Sequence, residues 1–256
     1  LGGRLDATNV IDRPILTAIT PISLDHQQFL GDDIASIAYE KAGILKANIP
    51  AIIASQQPKA KQAIEKQANL IGAPLVLEGL DWKISEKKNG ILFEDGQTAL
   101  ELPTPSLAGS HQIENAGLAI ACLLRLKGFE LSFDAIASGL SHANWPGRFE
   151  KLTIGNLTKI LPPQSELWVD GGHNPAAGEV VANTLRRRVT SPNKCNLHLI
   201  FGMLETKDPI GFLKPFIDLN PRVWAVEIPN EAASLKASTS ATAARELGIQ
   251  AATTAG

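Results

Sequence analysis

The run Trp168-Val169-Asp170-Gly171-Gly172-His173-Asn174-Pro175 joins a strand end, a loop of nucleotide-site type and a helix start in eight residues, which points to a ligand site. Leu167 to Val169 is apolar and reads as a buried strand, with Asp170 at its carboxyl end, where open α/β sheets bind ligands. Asn174 then supplies an N-cap, and Pro175 takes the first helical position, where its missing N–H costs nothing. A helix over Ala176 to Arg187 follows. Chemically, a carboxylate at the strand end can take a ribose hydroxyl pair, while loop N–H groups and a helix N-terminus favour an anion. The plainer alternative is a polar turn with no ligand.

Strand and helix signals alternate along much of the chain, which predicts α/β architecture with parallel sheets. Strands are expected at Ile15–Thr20 and Ala51–Ser55, and helices at Asp32–Ala42 and Lys59–Leu70. Leu75–Leu107 changes character: Asn89-Gly90 and Asp95-Gly96 are hairpin turns, and the whole segment reads as an antiparallel insertion. Helices return at His111–Leu126 and Phe133–Ser141. The breakers in Asn144-Trp145-Pro146-Gly147-Arg148 then mark a boundary, giving domains 1–145 and 146–256. The second carries strands near Glu150–Ile154, Glu166–Val169, Leu197–Gly202 and Val223–Ile228, a helix from Asp208-Pro209 to about Leu219, and a strand beginning at Ile249.

At 256 residues and 44% hydrophobic the chain can fill a real core, and a net charge of −2 leaves no basic footprint for nucleic acid or an anionic membrane. No apolar run reaches the 18 or so residues of a membrane span. Cys122 and Cys195 lack metal-ligand spacing and read as reduced core thiols of a cytoplasmic protein.

Lys41 lies at helical spacing from Ile34, Ile37 and Ala38 and should face inward. Partial burial favours the neutral amine, which reacts with carbon dioxide to give an anionic carbamate; otherwise the side chain snorkels. His26, past the end of the first strand, is either a cation ligand or a structural imidazole. Asn115 can pair with a base edge, and Arg148 offers a planar fork to phosphate oxygens or to a surface acid. His142 and His198 read as scaffold. Neither Gly-x-x-x-x-Gly-Lys-Ser/Thr nor Gly-x-Gly-x-x-Gly occurs, which weighs against an internal phosphate cradle and against a nicotinamide or flavin enzyme.

In order, Gly2-Gly3-Arg4-Leu5-Asp6-Ala7-Thr8-Asn9, Leu24-Asp25-His26 with Phe29-Leu30-Gly31, Glu40-Lys41-Ala42-Gly43-Ile44, Asn115-Ala116, Pro146-Gly147-Arg148 and Asp170 to Pro175 resemble the bacterial folylpolyglutamate synthase/dihydrofolate synthase family of the Mur ligase superfamily. The resemblance implies the remainder of a P-loop-type ATPase domain followed by an incomplete Rossmann-like domain, with the P-loop upstream of residue 1 and the isolated chain inactive. It implies a cytoplasmic monomer that uses ATP and Mg2+ to join L-glutamate to dihydropteroate or a folate through an acyl phosphate. Carried over by position, His26 and carbamylated Lys41 would hold magnesium. Asn115 would contact adenine, Arg148 the phosphates and Asp170 the ribose. Leu5, Asp6 and Ala7 would line the pterin-bearing substrate, and His173 would lie beside the glutamate pocket in a catalytic role. Thr206-Lys207-Asp208 departs from the family's Asp-Lys-Asp. A Mur-type peptidoglycan ligase and a non-catalytic nucleotide-binding protein are the competing readings.

Overall fold

The computed structural model describes residues 2–25, 27–189 and 196–254. The chain divides into two compact units, Leu1–Asn144 and Trp145–Gly256.

The first unit runs β1 (Thr17–Ile19), α1 (Gln27–Leu30), α2 (Ile34–Ala42), β2 (Ala51–Ile53), α3 (Pro58–Ile71), β3 (Leu75–Leu77), β4 (Lys83–Lys87), β5 (Gly90–Glu94), β6 (Ala99–Leu102), α4 (Ser110–Leu123) and α5 (Phe133–His142). β1, β2 and β3 form a parallel sheet in that order, with Thr17 opposite Ala51 and Ala51 opposite Leu75. β2 is buried throughout, as a central parallel strand must be. Its side chains alternate between two cores. Ala51 and Ile53 join Ile37, Ala38 and Ile64 under α2 and α3, whereas Ile52 joins Trp82, Phe93 and Ile120 under α4.

Local chemistry explains the helix ends. The Asp33 carboxylate accepts from Ala35 N (2.8 Å) and Ser36 N (3.1 Å), so α2 starts at Ile34, two residues later than the expected Asp32. Pro58 opens α3, and Gly72 closes it in the left-handed region at φ 77°.

Two expectations for this unit are corrected. Leu75–Leu77 is not part of the antiparallel insertion but the third parallel strand, because α3 returns the chain alongside β2; a three-residue apolar run carries no sign of its direction. The β4–β5 turn is Lys88-Asn89, since Lys87 faces Gly90 in register. Gly90 already belongs to β5, and a Cβ there would overlap the Leu102 carbonyl.

The second unit runs β7 (Glu150–Leu152), α6 (Asn156–Lys159), β8 (Leu167–Val169), α7 (Pro175–Val189), β9 (His198–Phe201), α8 (Pro209–Leu213), a 3-10 helix at Lys214–Leu219, β10 (Arg222–Ala225), α9 (Ala237–Glu246) and β11 (Gln250–Thr253). β9, β10 and β11 form a parallel sheet with β10 in the middle. Phe201, Val223 and Ala225 are buried on one face of it, and Phe201 stacks on Phe212 of α8 at 5.4 Å. The predicted single helix to Leu219 is α8 followed by a 3-10 helix, since Pro215 has no N–H to continue the α ladder.

β7 and β8 pair antiparallel, apart from the parallel strands, with Glu150 opposite Val169. The expectation of a buried β8 fails too: Leu167 and Trp168 are half-buried and Val169 is 41% exposed, because β8 lies with β7 in a two-stranded sheet and not inside the parallel one. Trp168 packs on Phe149 at 4.9 Å, and the Arg188 guanidinium lies 4.2 Å from the Trp168 ring centre. Cys122 is a half-buried free thiol, and Cys195 lies outside the described residues. Among the described residues no helix is long and apolar enough to cross a membrane.

Candidate functional site

In the first unit the segment from Gly2 to Asn9 seats on the end of α2. Gly3 N and Arg4 N both donate to the Glu40 carbonyl (2.8 and 3.2 Å), and Arg4 Nε lies 3.7 Å from Glu40 Oε2. Asn9 Nδ2 donates to the carbonyls of Arg4 and Gly43, each at 3.3 Å. Two glycines permit this approach. A Cβ on Gly3 would overlap the Lys41 carbonyl, and one on Gly43 would lie 2.5 Å from Arg4 Cβ. The Leu5-Asp6-Ala7 turn and the Lys41 turn, 34 residues apart in the chain, therefore form one surface.

On that surface Leu5 is 75% exposed and Ala7 is exposed, while Asp6 is half-buried. The Asp6 carboxylate accepts from Thr8 Oγ1 (2.6 Å) and Thr8 N (2.9 Å), and the Thr8 hydroxyl bond is the main cause holding its pKa well below the usual carboxylate range. Asp6 is thus a fixed anion. Lys41 stands half-buried in the last turn of α2, beside buried Ile37, Ala38 and Ala42, where a cation suits the helix dipole. It is at the edge of the apolar stripe rather than fully inward, and it has no acidic partner among the described residues. His26 lies outside the described residues. No group of three or more His, Cys, Asp or Glu side chains that could hold a metal ion occurs among the described residues.

Two side chains not singled out from sequence stand at the carboxyl ends of the parallel strands. Gln56 Nε2 donates to the Thr20 carbonyl (2.9 Å) and Gln56 Oε1 accepts from Ile22 N (3.0 Å), tying the chain leaving β1 to the chain leaving β2. Glu78 Oε2 accepts from Ser55 N at 2.7 Å. Burial raises the Glu78 pKa; the Ser55 N–H opposes this, and the Glu114 charge adds to it. Their signal was a polar residue just beyond each strand end, where α/β sheets place ligand groups. Asn115 stands apart, exposed on α4, with Nδ2 donating to Gln112 Oε1 at 3.2 Å.

In the second unit the residues on either side of Arg148 bond the segment that carries Asp170 and His173. Asp170 Oδ2 accepts from Phe149 N (2.8 Å) and Oδ1 from Gly172 N (2.7 Å), and Gly171 N donates to the Gly147 carbonyl (2.8 Å). Asp170 is exposed, and each carboxylate oxygen retains a lone pair for a ligand hydroxyl. His173 Nδ1 lies 2.9 Å from the Gly171 carbonyl, a bond that leaves Nε2 as the acceptor when Nδ1 carries the proton. Asn174 Oδ1 caps α7 through Ala177 N at 2.8 Å, with Pro175 in the first helical position.

No protein-family model matches the chain. It is 35% identical over 233 residues to a dihydrofolate synthase/folylpolyglutamate synthase of Bacillus subtilis, covering 84% of this chain and 49% of that protein. The Escherichia coli protein of the same description is 35% identical, with 85% and 48% covered. Escherichia coli FolC in complex with DHPP and ADP superposes on the whole chain with TM-score 0.82 and 31% identity, over 56% of its own length. Over most of its length the chain is similar to members of the dihydrofolate synthase/folylpolyglutamate synthase family.

It spans about half the length of the curated family members it matches. A bifunctional folylpolyglutamate synthase/dihydrofolate synthase structure with Mn, AMPPNP and L-glutamate bound shares the fold at TM-score 0.81, covering 99% of this chain. The α/β architecture is that of the family.

Proposed function

We propose that the protein is an ATP-dependent ligase that joins the amine of L-glutamate to the carboxylate of dihydropteroate, of a folylglutamate, or of both. The likeness along the whole chain to structures holding ADP, or Mn, AMPPNP and L-glutamate, carries this reading. The residues supply matching chemistry. Phosphorylation of a carboxylate makes an acyl phosphate, and the glutamate amine then displaces phosphate to leave an amide. Two anions must meet for the first step, so cations and oriented donors are required there.

Magnesium would supply charge neutralisation between those anions. A half-buried lysine without an acidic partner fits the donor chemistry, since its carbamate offers a hard oxygen of the kind magnesium takes; His26 would be the second protein ligand. In the same reading Asp170, its plane fixed by two backbone N–H groups, receives the ribose, Arg148 the phosphates and Asn115 the adenine. Leu5, Asp6 and Ala7 line the folate site, and His173 borders the glutamate site as a catalytic group. The domain assignment 1–145 and 146–256, and a cytoplasmic monomer, complete the proposal.

A coupled assay of ADP release by the full-length protein tests it. Release should require ATP, magnesium, L-glutamate and a pteroate or folate together. ADP release that is indifferent to glutamate and folate overturns the reading.

A further inference from the structure

The turn that carries Arg148 is held in a conformation its own residues do not favour. Gly147 and Phe149, on either side of Arg148, both lie in the left-handed region, at φ 72° and 45°. For glycine this is ordinary, but for phenylalanine it is a strained backbone that persists only where surroundings impose it. Two carboxylates impose it here. Asp170 takes the Phe149 N–H, while Glu150 Oε2 takes the Gly147 N–H at 2.9 Å. The Phe149 ring, 6% exposed against Trp168, fixes the third side.

We propose that Glu150 is a positioning residue for nucleotide phosphates: its carboxylate closes the Gly147-to-Glu150 turn and so sets the place of Arg148 relative to Asp170. The inference rests on the reading of Arg148 as the phosphate contact. The Glu150–Gly147 bond has the form of a capping-box acid reaching back three residues to a backbone N–H, but no helix follows it. Its effect is confined to the turn. Without it the Gly147 amide has no acceptor, and a glycine flanking Arg148 is free to leave the left-handed region. The Asp170 bond to Phe149 and the Gly171 N–H on the Gly147 carbonyl then hold only the far side of the turn, and the peptide before Gly147 is left unheld.

Titration of AMP and ADP into the protein and its variants tests this. Glu150→Ala should leave AMP affinity near its original value and reduce the additional affinity gained with the second phosphate by about tenfold, the worth of one such bond. Glu150→Gln, which keeps an acceptor oxygen at the same reach, should restore it. Because both residues act through one phosphate contact, Glu150→Ala should add little to Arg148→Ala. Glu150→Asp, one methylene shorter, serves if the alanine variant does not fold, and it should show the same phosphate-selective loss. Equal losses for AMP and ADP, full additivity with Arg148→Ala, or no rescue by glutamine each overturn the proposal. Arg148→Ala without effect on ADP affinity overturns instead the phosphate assignment beneath it.

Discussion

Gly3 and Gly43 decide whether the segment carrying Leu5, Asp6 and Ala7 reaches the end of α2, since a Cβ at either would meet atoms already in place. Gly3→Ala should lower stability by about 1–3 kcal/mol, the usual cost of overpacking, and should speed hydrogen exchange at the Arg4 amide bonded to Glu40. Unchanged exchange there would mean the segment is held by something else. Lys41→Ala should abolish ligation by the full-length protein, with added acetate restoring part of it by standing in for the carbamate; undiminished turnover would remove Lys41 from the chemistry. Glu78 gives a pH test. Its pKa is raised from the ordinary 4.5 in the folded chain, chiefly by burial, so its contribution to stability is present below the ordinary value and is lost as pH rises through the raised one. Glu78→Gln removes that loss, and its melting temperature should gain on the parent's as pH rises from the ordinary 4.5 through the raised value. A constant difference across that window would contradict the burial of the charge. The Cys122 thiol is pushed up to about 11 by burial, against the opposing charge of Arg125, so it should react with iodoacetamide at pH 8 far more slowly than a free cysteine.

Among the elements, β2 and α7 carry the most. β2 works because alternate residues supply two cores, so a one-residue slip would exchange them. α7 begins at the Asp170 turn and packs on α8 and the 3-10 helix behind it. Gly178 lets the α7 backbone lie directly against the Phe212 carbonyl, and Arg186 forks onto both oxygens of Asp218 at 2.6 and 2.8 Å while donating to the Pro215 carbonyl. Gly178→Ala should force α7 and α8 apart, at a cost of about 1–3 kcal/mol by thermal melting. The same variant should weaken nucleotide binding only as far as the Asp170 turn moves with the helix start. A variant as stable as the parent would show that the close approach is not used.

At the scale of the whole molecule, the chain is two compact units joined at Asn144 and Trp145. Ala143, Asn144, Trp145 and Pro146 are all exposed, with Trp145 at 64%. Limited elastase digestion should therefore cut first after Ala143, leaving two fragments that resist further cleavage. Chymotrypsin should spare Trp145 despite its exposure, because Pro146 follows it. First cuts inside α3 or α7 would contradict the division.

Sequence alone determined what depends on near neighbours. Asp33 and Asn174 start their helices because a short polar side chain can reach an N–H two or three residues on, and Pro58, Pro175 and Pro209 sit where no N–H is needed. The alternation of strand and helix, the position of Asp170 at a strand end and the ordered motifs were equally legible, and they carried the family resemblance. What the chain could not announce locally was pairing between distant segments. Leu75–Leu77 became a parallel strand, and β7 with β8 an antiparallel pair, because a three-residue apolar run fits either direction until packing selects one. Asp170 in contact with Phe149, Gly3 against the Lys41 carbonyl and the Glu150 bond to Gly147 were decided only by the folded chain, since the first two join residues 21 and 38 positions apart and the third depends on a backbone conformation that no residue in the turn prefers except glycine.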